Sequence, residues 1–365
     1  MFIYLVTFII TYMFSKIAWS NIKNKGLFIF FSIITIILPS LIAGFRDTTV
    51  GHDIEAYMVP LFNNLLFVSN ANEFLYYLFL DELDGFFILF NFCITRFTDN
   101  IFWAFFIQQV IVLSLVYITC YKLRNKLNAP LLFFSYLVFY FCSSMSAARQ
   151  VFAVAMIFYS FPYVIEKKIY KFLLCIIIAW TMHKSAILGI TLYPLSVFCN
   201  KSNNNISMAK FTIIIIIGML GYLYFPIILN FLISYGIVPE KYTRYIDQTF
   251  STHKINILLV TLLFFTSTIN KNLKAINNEI KIFTIVAFFI LLCGVYNDVA
   301  QRAALYFILY IFTLFFCMTG TLIKQKKRII EHSFIYLIIF IYFYTSMYYG
   351  YAEAIPYTSK ILGIY

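Results

Sequence analysis

The feature that most constrains this chain is a repeated alternation between long apolar segments and short basic connections. Most of the apolar segments are long enough to cross roughly 30 Å of bilayer hydrocarbon at about 1.5 Å per helical residue. They lack the alternation of membrane barrel strands. With 12% charged residues and a mean hydropathy of +0.87, the chain has too few charges for a water-soluble surface. The sequence therefore predicts an all-α integral membrane protein forming one polytopic domain over residues 1–365.

The lysines and arginines predict how the chain is oriented in the membrane. Six short connections carry 17 of the 27 basic residues, and the positive-inside rule places these connections in the cytoplasm. They contain Lys23 and Lys25; Lys122, Arg124 and Lys126; Lys167, Lys168 and Lys171; Lys201 and Lys210; Lys271, Lys274 and Lys281; and Lys324, Lys326, Lys327 and Arg328. About twelve crossings follow, with a range of about 11–14, at 1–20, 27–44, 100–121, 129–145, 149–166, 169–183, 184–199, 211–234, 255–270, 282–297, 302–323 and 333–350.

Two longer connections then lie on the outer face, at residues 45–99 and 234–254. In the first, residues 59–84 mix apolar and acidic side chains at helical spacing, which predicts an amphipathic helix lying on the membrane. Residues 85–97 are apolar but short, and a crossing there would break the charge parity of the other connections. We therefore expect this piece to be a re-entrant or interfacial helix.

Ten basic residues lie outside the six cytoplasmic connections, and nine of them map to the outer half of the predicted topology, against the usual bias. Four separate segments bring an ionisable group to the same depth near the outer boundary. They carry Arg46, Arg149, His183 and Arg302. Because such groups are costly at that depth unless they face a wet cavity or a partner, the sequence predicts that they converge on one cleft.

The chemistry of these four groups suits a diphosphate. Arg149 and Arg302 follow small or polar residues at predicted helix starts, where free backbone amides add to an anion site. Guanidinium groups bind phosphate oxygens in bidentate fashion. Simpler explanations stay open for each residue taken alone: an arginine at a helix end is typical of an interface anchor, and His183 of a packing residue. Asp47 or Asp53 could pair with Arg46 and close the loop.

Several other functions are disfavoured by what the sequence lacks. It contains no HExxH pair, no GxSxG elbow, no Walker-type loop and no intramembrane acidic chain, which weakens hydrolase, ATPase and proton-driven transport interpretations. The seven cysteines have no CxxC spacing and lie in or beside apolar runs, which predicts small apolar side chains. We expect no metal and no cofactor. The basic residues are not gathered into one patch, so we expect no nucleic-acid partner.

Four elements, taken in order from about residue 40 to 310, resemble the EpsG family of Wzy-like bacterial polysaccharide polymerases. The stretch GFRDTTVGHDIEAY carries an R…GxD…Y pattern, an Arg-Gln pair opens a later apolar segment, a His-x-Ser-Ala element follows, and a further arginine opens a helix. The residues concerned are Arg46, Gly51, Asp53 and Tyr57; Arg149 and Gln150; His183, Ser185 and Ala186; and Arg302.

The resemblance implies polymerisation of undecaprenyl-pyrophosphate-linked oligosaccharide repeat units into O-antigen or a similar polysaccharide, at the periplasmic face of the bacterial inner membrane. It also implies a GT-C-like architecture, no metal or nucleotide sugar, and a possible chain-length regulator as partner. A flippase that carries lipid-linked sugars without chemistry and an O-antigen ligase are the alternatives. A membrane O-acyltransferase fits the residues less well.

On this interpretation we assign each candidate residue a role. Arg149 and Arg302 stabilise charge on the pyrophosphate, and His183 and Asp53 are the two candidates for the base that takes the proton of the attacking hydroxyl. Either assignment of the base is open; the first choice is His183, with Asp53 positioning the acceptor sugar or orienting the imidazole ring. The residues expected to bind pyrophosphate or sugar are Arg46, Arg244, Gln150 and Tyr57.

Overall fold

The computed structural model describes residues 1–51, 53–80, 84–125, 127–199, 208–236, 278–293, 300, 302–310, 337, 340–341, 343–345 and 354–365. These residues are mostly helical and contain no β-strand; one isolated bridge joins Ser359 and Ile364. The α-helices are α1 Phe2–Ser20, α2 Lys25–Phe45, α3 Val59–Leu66, α4 Ala71–Leu80, α5 Gly85–Thr95, α6 Phe102–Leu123, α7 Ala129–Ser146, α8 Gln150–Ile165, α9 Ile169–Met182, α10 Leu192–Cys199, α11 Met208–Leu223, α12 Phe225–Ser234 and α13 Asn278–Cys293. A π-helix covers Ile54–Met58 and a 3₁₀-helix covers Lys184–Thr191.

Four described helices, α1, α2, α6 and α7, are long and apolar enough to cross a membrane. The pair α11 and α12 is bent by 67° at its break and adds a fifth candidate if it counts as one broken span. The described part of the chain is therefore helical and of membrane type, as the sequence predicts. The predicted crossings at 255–270, 302–323 and 333–350 lie wholly or mostly outside the described residues, and the count of twelve stays a prediction.

The described residues form two compact units. The first comprises 1–163, 168–187 and 343–365, and the second comprises 164–167 and 188–342. In the first unit α1 packs against α2 and α7, and α6 also packs against α2 and α7. Two of these helices begin at asparagine caps, since Asn24 accepts from Leu27 N–H at 3.3 Å and Asn128 from Leu131 N–H at 3.2 Å. In the second unit α10 and α11 pack against α13.

The first outer connection differs from the single amphipathic helix expected over 59–84, because the chain forms two helices there, α3 and α4. Arg96 donates to the carbonyl oxygens of Leu65 and Val68 at 2.6 and 2.7 Å, which satisfies the open end of α3. Asn70 and Glu73 then start α4 as a capping box, with Glu73 N–H donating to Asn70 Oδ1 at 2.9 Å. α5 has 11 residues, about 16 Å at 1.5 Å per residue, which is too short for a full crossing.

Candidate functional site

Two titratable side chains from distant parts of the first unit meet at the carboxylate of Asp84. His183 Nδ1 lies 2.7 Å from Asp84 Oδ2, and Arg149 Nη1 lies 4.0 Å from the same oxygen. The backbone N–H of Lys184 donates to the other carboxylate oxygen at 3.1 Å. Asp84 is only 4% exposed, so these protein groups surround most of its carboxylate.

The backbone explains how these groups reach one another. Asp84 is the extended residue immediately before α5, and His183 is the extended residue immediately after α9. α5 and α9 pack together, which brings the start of one helix to the end of the other. Because His183 leaves the helical path, its ring and the following amide can both face the same carboxylate. Two residues 99 positions apart in sequence thereby form an acid–imidazole pair with a buried carboxylate and a partly exposed ring.

This pairing fixes what the imidazole can do. A neutral imidazole has one N–H donor and one acceptor nitrogen, and a carboxylate beside Nδ1 favours the tautomer that carries its proton there. Nε2 then bears the free lone pair, which is the form of a general base oriented by an acid. The His183 side chain is 24% exposed, so the ring is reachable from outside the protein.

Arg149 differs from the other arginines of the described first unit. Its guanidinium lies over the ring of Tyr57, 4.7 Å from the centroid, and its side chain is 20% exposed. It makes no hydrogen bond to any described residue. In contrast, Arg46, Arg96 and Arg124 each donate to backbone carbonyl oxygens. Arg149 is therefore held in place by an aromatic face while its N–H groups stay available for an anion.

Arg46 is predicted to bind substrate, and the contacts that the structure gives it are with other parts of the protein. The residue is 6% exposed, its Nη2 donates to Met145 O at 3.0 Å, and its guanidinium lies 4.4 Å from the centroid of the Phe105 ring. Burial lowers the pKa of this guanidinium to about 10, which still leaves it charged at neutral pH. These contacts connect the loop at 46–51 to the end of α7, and substrate binding by Arg46 stays a prediction. Neither Asp47 nor Asp53 forms an ion pair with it.

The remaining predicted residues have mixed placements. Asp53 is half-buried just before the π-helix, and its carboxylate contacts no described side chain or amide at hydrogen-bond distance. Tyr57 lies in that π-helix beneath Arg149, and Gln150 is buried at the start of α8. Arg302 is exposed in the helical stretch 302–310 of the second unit, and Arg244 lies outside the described residues.

Asp84 is a member of the site that the sequence pattern does not predict. The pattern over 59–84 predicts it as the polar end of an amphipathic helix, whereas the structure places it at the start of the apolar helix α5. A usable signal was present, since an acidic residue directly before a glycine and an apolar run is a typical helix start. Within the described ranges, no three His, Cys, Asp or Glu side chains lie close enough together to hold a metal ion.

Comparison with known proteins identifies the family. The model of the EpsG family matches residues 28–359, which includes every residue of the acid–imidazole pair, Arg149 and Tyr57. No curated protein and no solved structure matches the chain. Because the matched range covers most of the chain, this protein belongs to the EpsG family.

Proposed function

We propose that this EpsG-family chain polymerises undecaprenyl-pyrophosphate-linked oligosaccharide repeat units at the periplasmic face of the bacterial inner membrane. The growing chain, still attached to its lipid pyrophosphate, is the donor, and a fresh lipid-linked unit is the acceptor. The product is an O-antigen or a similar polysaccharide. The family match and the apolar helices support a membrane enzyme of polysaccharide synthesis.

One observation carries the proposal: a partly exposed arginine without a hydrogen-bond partner among the described residues lies beside an imidazole oriented by a buried carboxylate. Glycosyl transfer from a lipid pyrophosphate needs these two functions together. A cation must stabilise the charge that develops on the leaving diphosphate, and a base must take the proton of the attacking hydroxyl. Arg149 supplies the first, and His183 with Asp84 supplies the second.

The reaction follows from these roles. The acceptor hydroxyl attacks the anomeric carbon of the donor chain, forming the new glycosidic bond as its proton passes to His183 Nε2. The bond between the anomeric carbon and the phosphate oxygen breaks, and its electron pair stays on undecaprenyl pyrophosphate. Arg149 donates to the phosphate oxygens as this charge develops. Asp84 accepts from Nδ1–H throughout and stabilises the imidazolium that forms.

Other residues keep the roles that the sequence predicts for them. Tyr57 has an exposed aromatic ring that fixes Arg149 and offers a surface for a sugar. Gln150 and Arg244 stay predictions as further substrate-binding residues, and Arg302 stays a prediction as a second arginine that stabilises charge on the pyrophosphate. A GT-C-like architecture and a chain-length regulator as partner are part of the same proposal.

The test uses purified protein and synthetic lipid-linked repeat units, with glycan length read by gel or mass spectrometry. The wild-type chain is expected to lengthen the glycan. Arg149→Lys keeps the charge but loses the planar fork, and we expect it to lower the rate by about 10²–10³. His183→Ala is expected to lower it by about 10²–10⁴. Arg124→Lys is the matched control, since its guanidinium caps the end of α6, and we expect it to keep the wild-type rate within about threefold.

The alternative functions give different results in the same preparation. A carrier moves the lipid-linked unit across vesicles without changing glycan length, and a ligase consumes it only when a lipid A core acceptor is added. Retention of full polymerising activity by both Arg149→Lys and His183→Ala would remove the proposed chemistry from this site. A wild-type protein that never lengthens the glycan would refute the polymerase assignment itself.

A further inference from the structure

Residues 354–365 fold back over the loop that follows α2. We call residues 354–360 the strap and residues 46–51 the site loop. Asp47 N–H donates to Thr358 O at 3.0 Å, and Lys360 N–H donates to Asp47 Oδ1 at 3.0 Å. Thr49 and Thr358 are joined by their hydroxyl groups at 3.4 Å. The strap thus pairs with the site loop through both backbone and side chains.

The strap is also hydrogen-bonded to α2, which the site loop follows, and to α1. The Tyr357 hydroxyl donates to Ile42 O at 2.9 Å, and the Ser359 hydroxyl donates to Phe45 O, so both satisfy open carbonyls in the last turn of α2. The Tyr4 hydroxyl of α1 donates to Ala354 O at 2.8 Å. Tyr357 and Ser359 are buried, and burial raises the pKa of the Tyr357 phenol to about 12, which keeps it a donor. These contacts make the strap a built part of the first unit.

The opposite side of the site loop rests on the end of α7. Arg46 donates to Met145 O, and Gly51 approaches the same carbonyl so closely that an added Cβ would lie 2.9 Å from it. Gly51 also has a φ of +110°, a conformation that L side chains rarely adopt. α7 ends at Ser146, and Arg149 follows after two further residues. The loop therefore contacts the backbone that presents Arg149.

Burial of Arg46 explains why the loop needs an outer support. A buried guanidinium without an acidic partner is poorly compensated, and the lowered pKa of Arg46 reports that cost. Its Nε has no hydrogen-bond partner within the described part of the chain. A loop that carries such a group inward tends to open toward water unless other contacts oppose the movement. The bonds to the strap oppose it from the outer side.

We propose that the strap is a positioning element for Arg149, acting through the site loop and the end of α7. The expected effect on catalysis rests on the proposed function. The structural coupling between the strap and the end of α7 does not depend on the reaction. When the strap releases Asp47, the loop withdraws from Met145 and the turn at 147–149 loses its fixed position. Displacement of Arg149 by about 1 Å lowers turnover by up to about 10².

Asp47 offers a matched pair of variants for the test. Asp47→Asn keeps an oxygen that accepts from the Lys360 amide, whereas Asp47→Ala removes it. We expect Asp47→Ala to lower kcat about tenfold or more with little change in KM, and Asp47→Asn to restore most of the rate. Hydrogen–deuterium exchange is expected to rise in residues 46–51 and also in 145–151 for Asp47→Ala, and to stay near wild type for Asp47→Asn. Where Asp47→Ala does not fold, Ser359→Ala replaces it, with Ser359→Thr as the conservative partner.

The exchange measurement separates the two proposals. Faster exchange confined to 46–51, with 145–151 unchanged, would show that the strap supports only the loop and would overturn the positioning role. An equal loss of turnover in Asp47→Asn and Asp47→Ala would also overturn it, since the carboxylate charge would then matter and not the bond to the strap. A wild-type protein without polymerase activity refutes the proposed function, while the exchange result still decides the coupling.

Discussion

The substitution Asp84→Asn tests the site most directly. Asparagine has nearly the same shape as aspartate, so the start of α5 and the packing around it are preserved. The change removes the negative charge 2.7 Å from His183 Nδ1 and presents either a neutral oxygen or an N–H to the ring. In the second case the imidazole turns to the tautomer with its proton on Nε2, and the free lone pair no longer faces the acceptor.

The size of the effect follows from the electrostatics of the pair. Two opposite charges about 4 Å apart interact by about 4 kcal/mol at an effective dielectric constant of roughly 20. That energy is available only after His183 takes the proton, so its loss raises the barrier and corresponds to about 10³ in rate. Both side chains are less than a quarter exposed, at 4% for Asp84 and 24% for His183, so screening by water is limited. General-base contributions of about 10²–10⁴ agree with this value.

The assay measures kcat and KM for glycan elongation by the purified protein. We expect Asp84→Asn to lower kcat by about 10³ with a small change in KM, and the double variant with His183→Ala to be no slower than the slower single variant, because the two residues act as one unit. Asp99→Asn, an exposed residue of the same connection, is the matched control. Asp53→Asn tests the other candidate carboxylate. A larger loss in Asp53→Asn than in Asp84→Asn, or multiplying losses in the double variant, would refute the acid–imidazole assignment.

Two further predictions concern the outer connection. Arg96→Ala leaves the last carbonyls of α3 without a donor, and we expect it to lower the free energy of unfolding by about 1–2 kcal/mol in thermal melts, with Arg124→Ala costing less. Glu73 accepts from Ser69 N–H at 2.8 Å, which holds the pKa of its carboxyl below the ordinary 4.5. The cap is therefore fully formed above pH 4.5 and is lost as the pH falls through the lower folded-state value. Amide exchange at Ser69 should be slower than in Glu73→Gln near about pH 6, and the difference should shrink as the pH falls below 4.5.

The long helices were predictable because each follows from a continuous apolar run in its own segment of the sequence. Apolar runs at 1–20, 27–44, 100–121 and 129–145 became α1, α2, α6 and α7 with shifts of a few residues at their ends. In the first outer connection, prediction failed at 67–70. The sequence pattern predicts one amphipathic helix, but a capping box at Asn70 starts a new helix there and Arg96 bonds the end of the preceding one. Arg96 donates to carbonyl oxygens about thirty positions earlier in the chain, and no local sequence pattern predicts that contact.

The site was predictable only in part, for a related reason. Arg149 and His183 could be recognised as costly groups at a common depth, and the structure brings them together through Asp84. The sequence could not tell Arg149 from Arg46. Both follow apolar or small residues near a helix boundary, yet one guanidinium is partly exposed over an aromatic ring and the other is buried against a carbonyl. Side-chain direction at a helix boundary depends on packing from distant segments, which a single sequence does not contain.

The shared carboxylate also explains why Arg149 can work beside an acid without losing its attraction for a diphosphate. At 4.0 Å the contact between Arg149 and Asp84 is too long for a hydrogen bond, so the N–H groups of the guanidinium are not consumed by it. In the proposed mechanism His183 starts as a neutral base, so the carboxylate and the guanidinium balance each other's charge. Proton transfer to His183 gives the cluster one positive charge in the same step in which the leaving diphosphate gains negative charge. In the proposed mechanism the site therefore favours the transition state over the bound substrate, which is the requirement for faster turnover and not merely for tighter binding.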